Sequence, residues 1–557
     1  MIAVTRSHGL VRLGAALLWC SPFAVSHAQA HAHGPPSAAP TDSLPLYDAL
    51  GHYSRTLSRP SPAQPWFDQG MRLSYAFGHG TAVRSFRSGI ARDSSCAMCW
   101  WGIAWARGPY INNPTPDSAP LVEAYRAIQE AQRRSAGVSP VERALIDALA
   151  TRYAEVPTAA NRAVLDSAYA RAMTEVARRF PQDDDVGALL GEARMMLRPW
   201  RLYTREKALE PGTAEALAAL ETVLRRNVRH PGACHLYIHA TEAGPTPERA
   251  VPCAEGLGDG MPGASHMVHM ASHTWHRVGR WGDAVRANQR AIIADEHGRA
   301  GGVPGVYPMH NVQMLLGGAL MDGQRAVALD AARIVDRAGP GDQALTMAVL
   351  ARFGRWSELR GMTFSIGDRV TTAWAAATQG LAWLDTARTA RATEQLGVVD
   401  AVLAGTPDSA AVGGLKDRHL IELARGILAG ELLAARGQVD SAVTALTRAV
   451  AFDDSLPYQE HITWSIPPRH VLAGVLLDAG RATEAERVLR EDLARHPNNG
   501  WALLGLAQAL EAQQRTAEAV ATREAFRQAW ARADVWIAGP RVRPGAARAQ
   551  AAQTTGR

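Results

Sequence analysis

Apolar residues along most of the chain recur at spacings of three and four rather than in alternation. That period gathers them on one face of a helix. Alanine-rich stretches of this kind, such as WALLGLAQALEAQQRTAEAV at 501–520, succeed one another with Gly, Pro or Asn between them. Those residues stop helices and start turns. Alternating runs of Val, Ile and aromatic residues, the mark of strands, are almost absent. The pattern predicts an all-α chain.

The helices come in pairs. Ala485 and Ala519 occupy matching positions 34 residues apart, and Pro497 closes the earlier unit. Gly430, Ala473 and Ala507 each stand 12 residues before Ala442, Ala485 and Ala519 in turn. Small residues at such positions let two helices cross closely. The same register fits Trp66, Gly70, Leu73, Ala82 and Phe86. It also fits Val268, Ser272, Trp275, Gly279, Ala284 and Ala291, then Val312, Leu315, Gly323 and Ala328, and later Gly437, Ala442 and Ala449. This resembles the tetratricopeptide repeat, a 34-residue helix–turn–helix with small residues at the crossing. The resemblance covers about two-thirds of residues 60–535 and implies a right-handed α-solenoid of helix hairpins. One hairpin cannot bury its own apolar stripe, so neighbours stack and first helices line a concave face. The resemblance further implies a protein or peptide ligand in that concave groove. Residues 109–230 fit the register poorly and predict longer helices, so the array is irregular in its N-terminal half.

The ends differ from the middle. Residues 1–30 open with Arg6 and Arg12, continue apolar over 13–25 and reach Ala28-Gln29-Ala30, a small-x-small cleavage pattern. This is the form of a secretory signal, so an exported product, periplasmic or secreted, is expected. No later stretch reaches about 18 apolar residues, so no integral membrane segment is expected after cleavage. Residues 31–45 and 539–557 are rich in Pro, Ala, Gly and Arg and are expected to be a disordered linker and a disordered basic tail. Between them the expected divisions are 46–108, repeat-like; 109–230, longer helices; 231–335, histidine-rich units; and 336–538, C-terminal units. The chain has 59 Lys and Arg against 53 Asp and Glu. The surplus sits in the two ends, so no nucleic-acid footprint is present.

The candidate chemistry lies in two consecutive first helices. CHLYIHATE carries His235, His239 and Glu242, and SHMVHMASHTWH carries His266, His269, His273 and His276. Steps of three and four hold each row within an arc of about 60–80° on its helix. Val268, Ala271 and Trp275 form a different stripe, the expected core. The resemblance implies that the histidines take concave-facing positions of the repeat, with His310 in one of the following unit. Neighbouring helices lie about 8–10 Å apart, so the rows are expected to face one another across one gap. Neutral imidazole is a transition-metal ligand, and histidines at i and i+4 can chelate one ion. The first-choice ligands are His235, His239, His269 and His273, joined by His266, Glu242, His276 and His310. The ion would be Zn, Cu or Fe.

Two further readings stand beside this one: a metal-free scaffold that grips an extended peptide, and a metal-dependent hydrolase or oxygenase with Glu242 as base or ligand. The sequence HLYIH lacks the general base of the HExxH motif, because Leu236 follows the first histidine. Four cysteines remain after signal cleavage. Cys96 and Cys99, in CAMC, are candidates for a static disulfide, a redox pair or soft metal ligands. Cys234 and Cys253 fall on the two helices of one unit, where a bridge would clip the hairpin that presents His235 and His239.

Overall fold

Helices begin where the sequence supplies caps. Ser139 and Glu142 form a reciprocal capping box at the start of Pro140–Ala150, and Thr158 with Asn161 does the same for Ala159–Arg179. Asp183, Asp368 and Asn499 each accept backbone N–H groups at helix starts. These bonds satisfy donors that the first turn leaves without partners. The protein is described by a computed structural model over residues 44–301, 305–339, 343–364, 367–412, 415–460 and 465–544. The expected signal sequence and cleavage site lie outside the described residues.

The fold is an all-α solenoid of stacked hairpins. Among the described residues, the only paired strands are Ala411–Val412 and Leu415–Lys416, two residues each. From residue 344 onward, the first helices Ala344–Arg352, Arg369–Leu384, Asp417–Ala435, Pro468–Asp478 and Gly500–Ala512 stack side by side. Their partners bury narrower stripes: Ala442, Leu446 and Ala449 in Val439–Ser455, and Ala392 and Val399 in Thr389–Ala404. The crossings need small residues. A Cβ at Gly430 would lie 2.4 Å from Leu446 Cγ, and one at Gly426 would lie 2.7 Å from Ala449 Cβ. Residues 109–230 are covered by Ser118–Arg133, Pro140–Ala150, Ala159–Arg179, Asp184–Met195 and Thr213–Arg226. No helix among the described residues is long and apolar enough to cross a membrane.

Two apolar cores run through the stack, one built from residues between Leu50 and Tyr307 and the other from Val285 to Ile537. Contacts from the C-terminal hairpins reach back to the middle of the chain. Trp501 Nε1 donates to the Leu320 carbonyl at 3.0 Å, Trp281 Nε1 donates to Pro497 at 2.9 Å, and Arg532 pairs with Asp322 at 2.6 Å.

The ends are ordered further than the composition predicts. Leu44 is buried, and its carbonyl accepts the Trp66 indole N–H at 2.9 Å. Arg541 is buried against Glu431 at 2.5 Å. A disordered tail starting at 539 is therefore corrected: a charge pair inside the second core holds the chain past that point, which basic composition does not reveal.

Candidate metal centre

The first histidine row rides on Pro231–Glu242. His230 caps this helix, its Nδ1 accepting the Ala233 N–H at 3.0 Å, and Pro231 pre-sets the first turn. A Cys234–Cys253 disulfide ties the helix to Val251–Gly260. The second row spans Ser265–His269 and Ala271–Val278, two helices joined through Met270. The joint is tight, because His273 N–H bonds to the carbonyl of Met270, three residues back, at 3.2 Å. A single continuous helix was expected here. His310 sits in the first turn of Pro308–Asp322.

The two rows converge. His235, His239 and His266 bring ligand nitrogens within 4.8 Å of one another, and so do His269, His273 and His310. A third grouping, His239, Glu242, His273 and Glu460, meets the same limit. Ring centroids of His239 and His273 lie 5.3 Å apart, and those of His266 and His269 lie 5.7 Å apart. His276 joins none of these groups and packs on Trp281, 5.3 Å between centroids.

The rings are held by bonds to one nitrogen each. His235 Nδ1 donates to the Tyr75 carbonyl at 2.6 Å. His269 Nδ1 donates to Asn288 Oδ1 at 2.7 Å, while Asn288 Nδ2 donates to Ala284 at 2.9 Å and so fixes the amide's orientation. His239 Nδ1 and His273 Nδ1 donate to the two oxygens of one carboxylate, Glu242, each at 2.7 Å. Tyr458 O–H donates to the same carboxylate at 2.6 Å. The opposite nitrogens then meet: His269 Nε2 and His273 Nε2 are 2.8 Å apart, and His235 Nε2 and His266 Nε2 are 3.1 Å apart.

None of the expected residues lies on an open face. All seven histidines and Glu242 are at most 9 % exposed. An open concave groove at these positions is corrected for a physical reason: the segment before 461 folds over them. Glu460 approaches His310 Nε2 at 3.3 Å and His273 Nδ1 at 3.7 Å, and Arg277 stacks on the Tyr458 ring at 4.6 Å. Phe77, Trp200 and Tyr307 wall the remaining sides, with ring centroids 4.2 Å from His235, 5.2 Å from His239 and 5.3 Å from His266 respectively. All three take left-handed backbone conformations, with φ of 58°, 62° and 55°. Such conformations are costly for bulky residues and persist only where surrounding structure imposes them.

Burial and charge divide the groups. Burial, reinforced by the neighbouring imidazoles, holds His235, His266 and His269 well below the usual histidine range. Burial likewise lowers His239, against the pull of Glu242. Burial opposes ionisation of Glu242, yet the charge of His273 and bonds from both histidines hold its carboxyl well below the usual range. His273 is raised, because Glu242 and Glu460 outweigh its burial. Burial pushes the Glu460 carboxyl up to about 8.

Cys96 and Cys99 are bonded to each other at the start of Ala97–Arg107 and belong to none of the histidine groups. Glu460, Tyr458 and Asn288 carry no local signal in the sequence. They come from a loop and from a second helix that the repeat register assigns to packing.

Residues 476–527 match the tetratricopeptide repeat family. Together with the stacked hairpins, this gives the chain a tetratricopeptide-repeat-like fold. Similar solved structures include a human IFIT1 dimer with m7Gppp-AAAA, at 10% identity over 74% of this chain and 87% of that one, TM-score 0.31. The APC/C hetero-tetramer Cut9–Hcn1 aligns at 10% identity over 85% and 74%, TM-score 0.27. The P58(IPK) TPR domain aligns at 12% identity over 89% and 99%, TM-score 0.20. Scores of this size carry nothing about ligand or partner. No curated protein matches the chain.

Proposed function

We propose that the protein is an exported scaffold whose buried histidine cluster binds a transition metal. One pair of atoms carries this reading. His269 Nδ1 and His273 Nδ1 both face acceptors, Asn288 Oδ1 and the Glu242 carboxylate, so both carry their protons there. In neutral rings the two Nε2 lone pairs then point at each other across 2.8 Å. Two lone pairs at that distance repel unless a cation lies between them, either a proton or a metal ion.

A metal ion is favoured by the neighbouring donors. A proton on His273, whose pKa is raised, satisfies this pair alone; what favours a metal ion is that His310 completes a set of three donors and a second set of three lies alongside. Each Nδ1–H held by a carboxylate or carbonyl is the outer-shell arrangement that orients metal-bound histidine. Tetrahedral zinc–nitrogen bonds of about 2.0–2.1 Å separate two ligand nitrogens by about 3.3 Å, so seating an ion asks the rings to part by about half an ångström.

The test is elemental analysis of protein purified without a histidine tag or chelator, beside the His239→Ala/His273→Ala variant. Stoichiometric metal is expected in the parent and its loss in the variant. His276→Ala, on the same helix but outside the groups, is expected to retain it. No metal in the parent, or equal content in the double variant, would overturn the proposal.

A further inference from the structure

We propose that the six converging imidazoles form two adjoining three-histidine sites, His235/His239/His266 and His269/His273/His310, which hold a pair of copper ions. This rests on the metal-binding reading and specifies the number, the position and the identity of the ions.

The division into two sites follows from which nitrogens are already engaged. His235, His239, His269 and His273 each direct Nδ1 at an oxygen, leaving Nε2 as the donor atom. One carboxylate, Glu242, grips a ring from each triad, so it couples the two sites while ligating neither. The third grouping, with Glu242 and Glu460, competes for position. An ion there would take the Nδ1 atoms of His239 and His273 and break the bonds that orient a ring in each triad. Occupying the triads keeps every one of those bonds.

Copper follows from charge and donor type. The triads offer imidazole nitrogen alone, a donor that suits copper. The cage is buried, and the carboxylates beside its rings are Glu242, at 2.7 Å from His239 and His273, and Glu460, at 3.3 Å from His310. Two divalent ions would bring four charges into this enclosure, whereas two Cu(I) ions bring two. Burying uncompensated charge is costly. Cu(I) is also content with three donors, so each triad is a complete set. A small cavity bordered by Gly78, Ser265, His266 and Val306 lies against one ring of the first triad.

The full chain, stripped with a chelator, is loaded anaerobically with Cu(I), passed through a desalting column and counted for copper. Two ions per chain are expected, one in His235→Ala, one in His269→Ala, and none when both are changed. His276→Ala should keep two and serves as the folding control, with helicity checked by circular dichroism. One copper in the parent, lost in either single variant, would overturn the pair and leave the metal reading standing. Two coppers retained by both single variants would place the ions elsewhere and overturn the proposal. Uptake of zinc without copper would overturn the identity alone, and uptake of neither would end both readings.

Discussion

His239 and His273, from different helices, donate their Nδ1 protons to the two oxygens of the single carboxylate of Glu242, each at 2.7 Å. This bridge fixes the mutual orientation of the two imidazole rows and turns their other nitrogens inward. A metal ion at the proposed sites would act on the folded state alone and so stabilise it by mass action. At free ion a hundredfold above its dissociation constant the gain is about 2.7 kcal/mol. Calorimetry should therefore give a higher unfolding temperature with metal than after chelation. Identical temperatures would speak against a site in the core.

Glu242 orients two of the proposed ligands, so its amide replacement should weaken metal binding without changing how many ions bind. Removing an outer-shell partner costs about 10–100-fold in affinity. Glu242→Gln keeps the shape but offers an N–H group where one histidine needs an acceptor. Competitive titration against a chromogenic chelator is expected to give that loss at unchanged stoichiometry. Loss of a whole ion would instead make Glu242 a ligand.

The histidine rows were legible because their spacing is local. His235 to His239 and His269 to His273 are steps of four, which a helix turns into one face. The stacking was legible from Gly430, Ala473 and Ala507, since helices cannot approach closely over larger side chains. Enclosure was not legible. Glu460 and Tyr458 lie more than 180 residues beyond the second row, and nothing in LPYQE marks them as partners of Glu242. Asn288 occupies a second helix, where the register predicts packing. The bend at Met270 arises from two helical segments meeting, and the burial of Arg541 depends on Glu431 across the core.

The Cys234–Cys253 bond spans 19 residues and anchors the helix that carries His235 and His239. Closing a loop of that length limits the unfolded chain by about 3 kcal/mol in the chain-entropy view. Cys234→Ser/Cys253→Ser is expected to unfold at lower denaturant concentration and to bind metal more weakly. Unchanged affinity would detach the bridge from the site.

Another buried histidine, His470, offers a pH test outside the cluster. Arg352 Nη2 donates to His470 Nδ1 at 2.8 Å, and His470 Nε2 donates to Asp492 at 2.9 Å, with His496 3.5 Å from the same carboxylate. Burial lowers His470 in spite of Asp492, so the folded state binds fewer protons there than the unfolded state. Its contribution is therefore present above the ordinary histidine range and lost as pH falls below about 6.5. The stability difference between the parent and His470→Gln is expected to shrink between pH 7 and pH 5, measured by urea unfolding. A constant difference would contradict the sign.

The central claim is that metal sits between the Nε2 atoms of facing imidazoles. Anomalous diffraction from crystals of the metal-loaded chain, recorded at the absorption edge of the bound ion, locates it directly. The account predicts peaks bounded by His235, His239 and His266 and by His269, His273 and His310. Peaks on the carboxylates of Glu242 and Glu460, at the surface, or nowhere would contradict it.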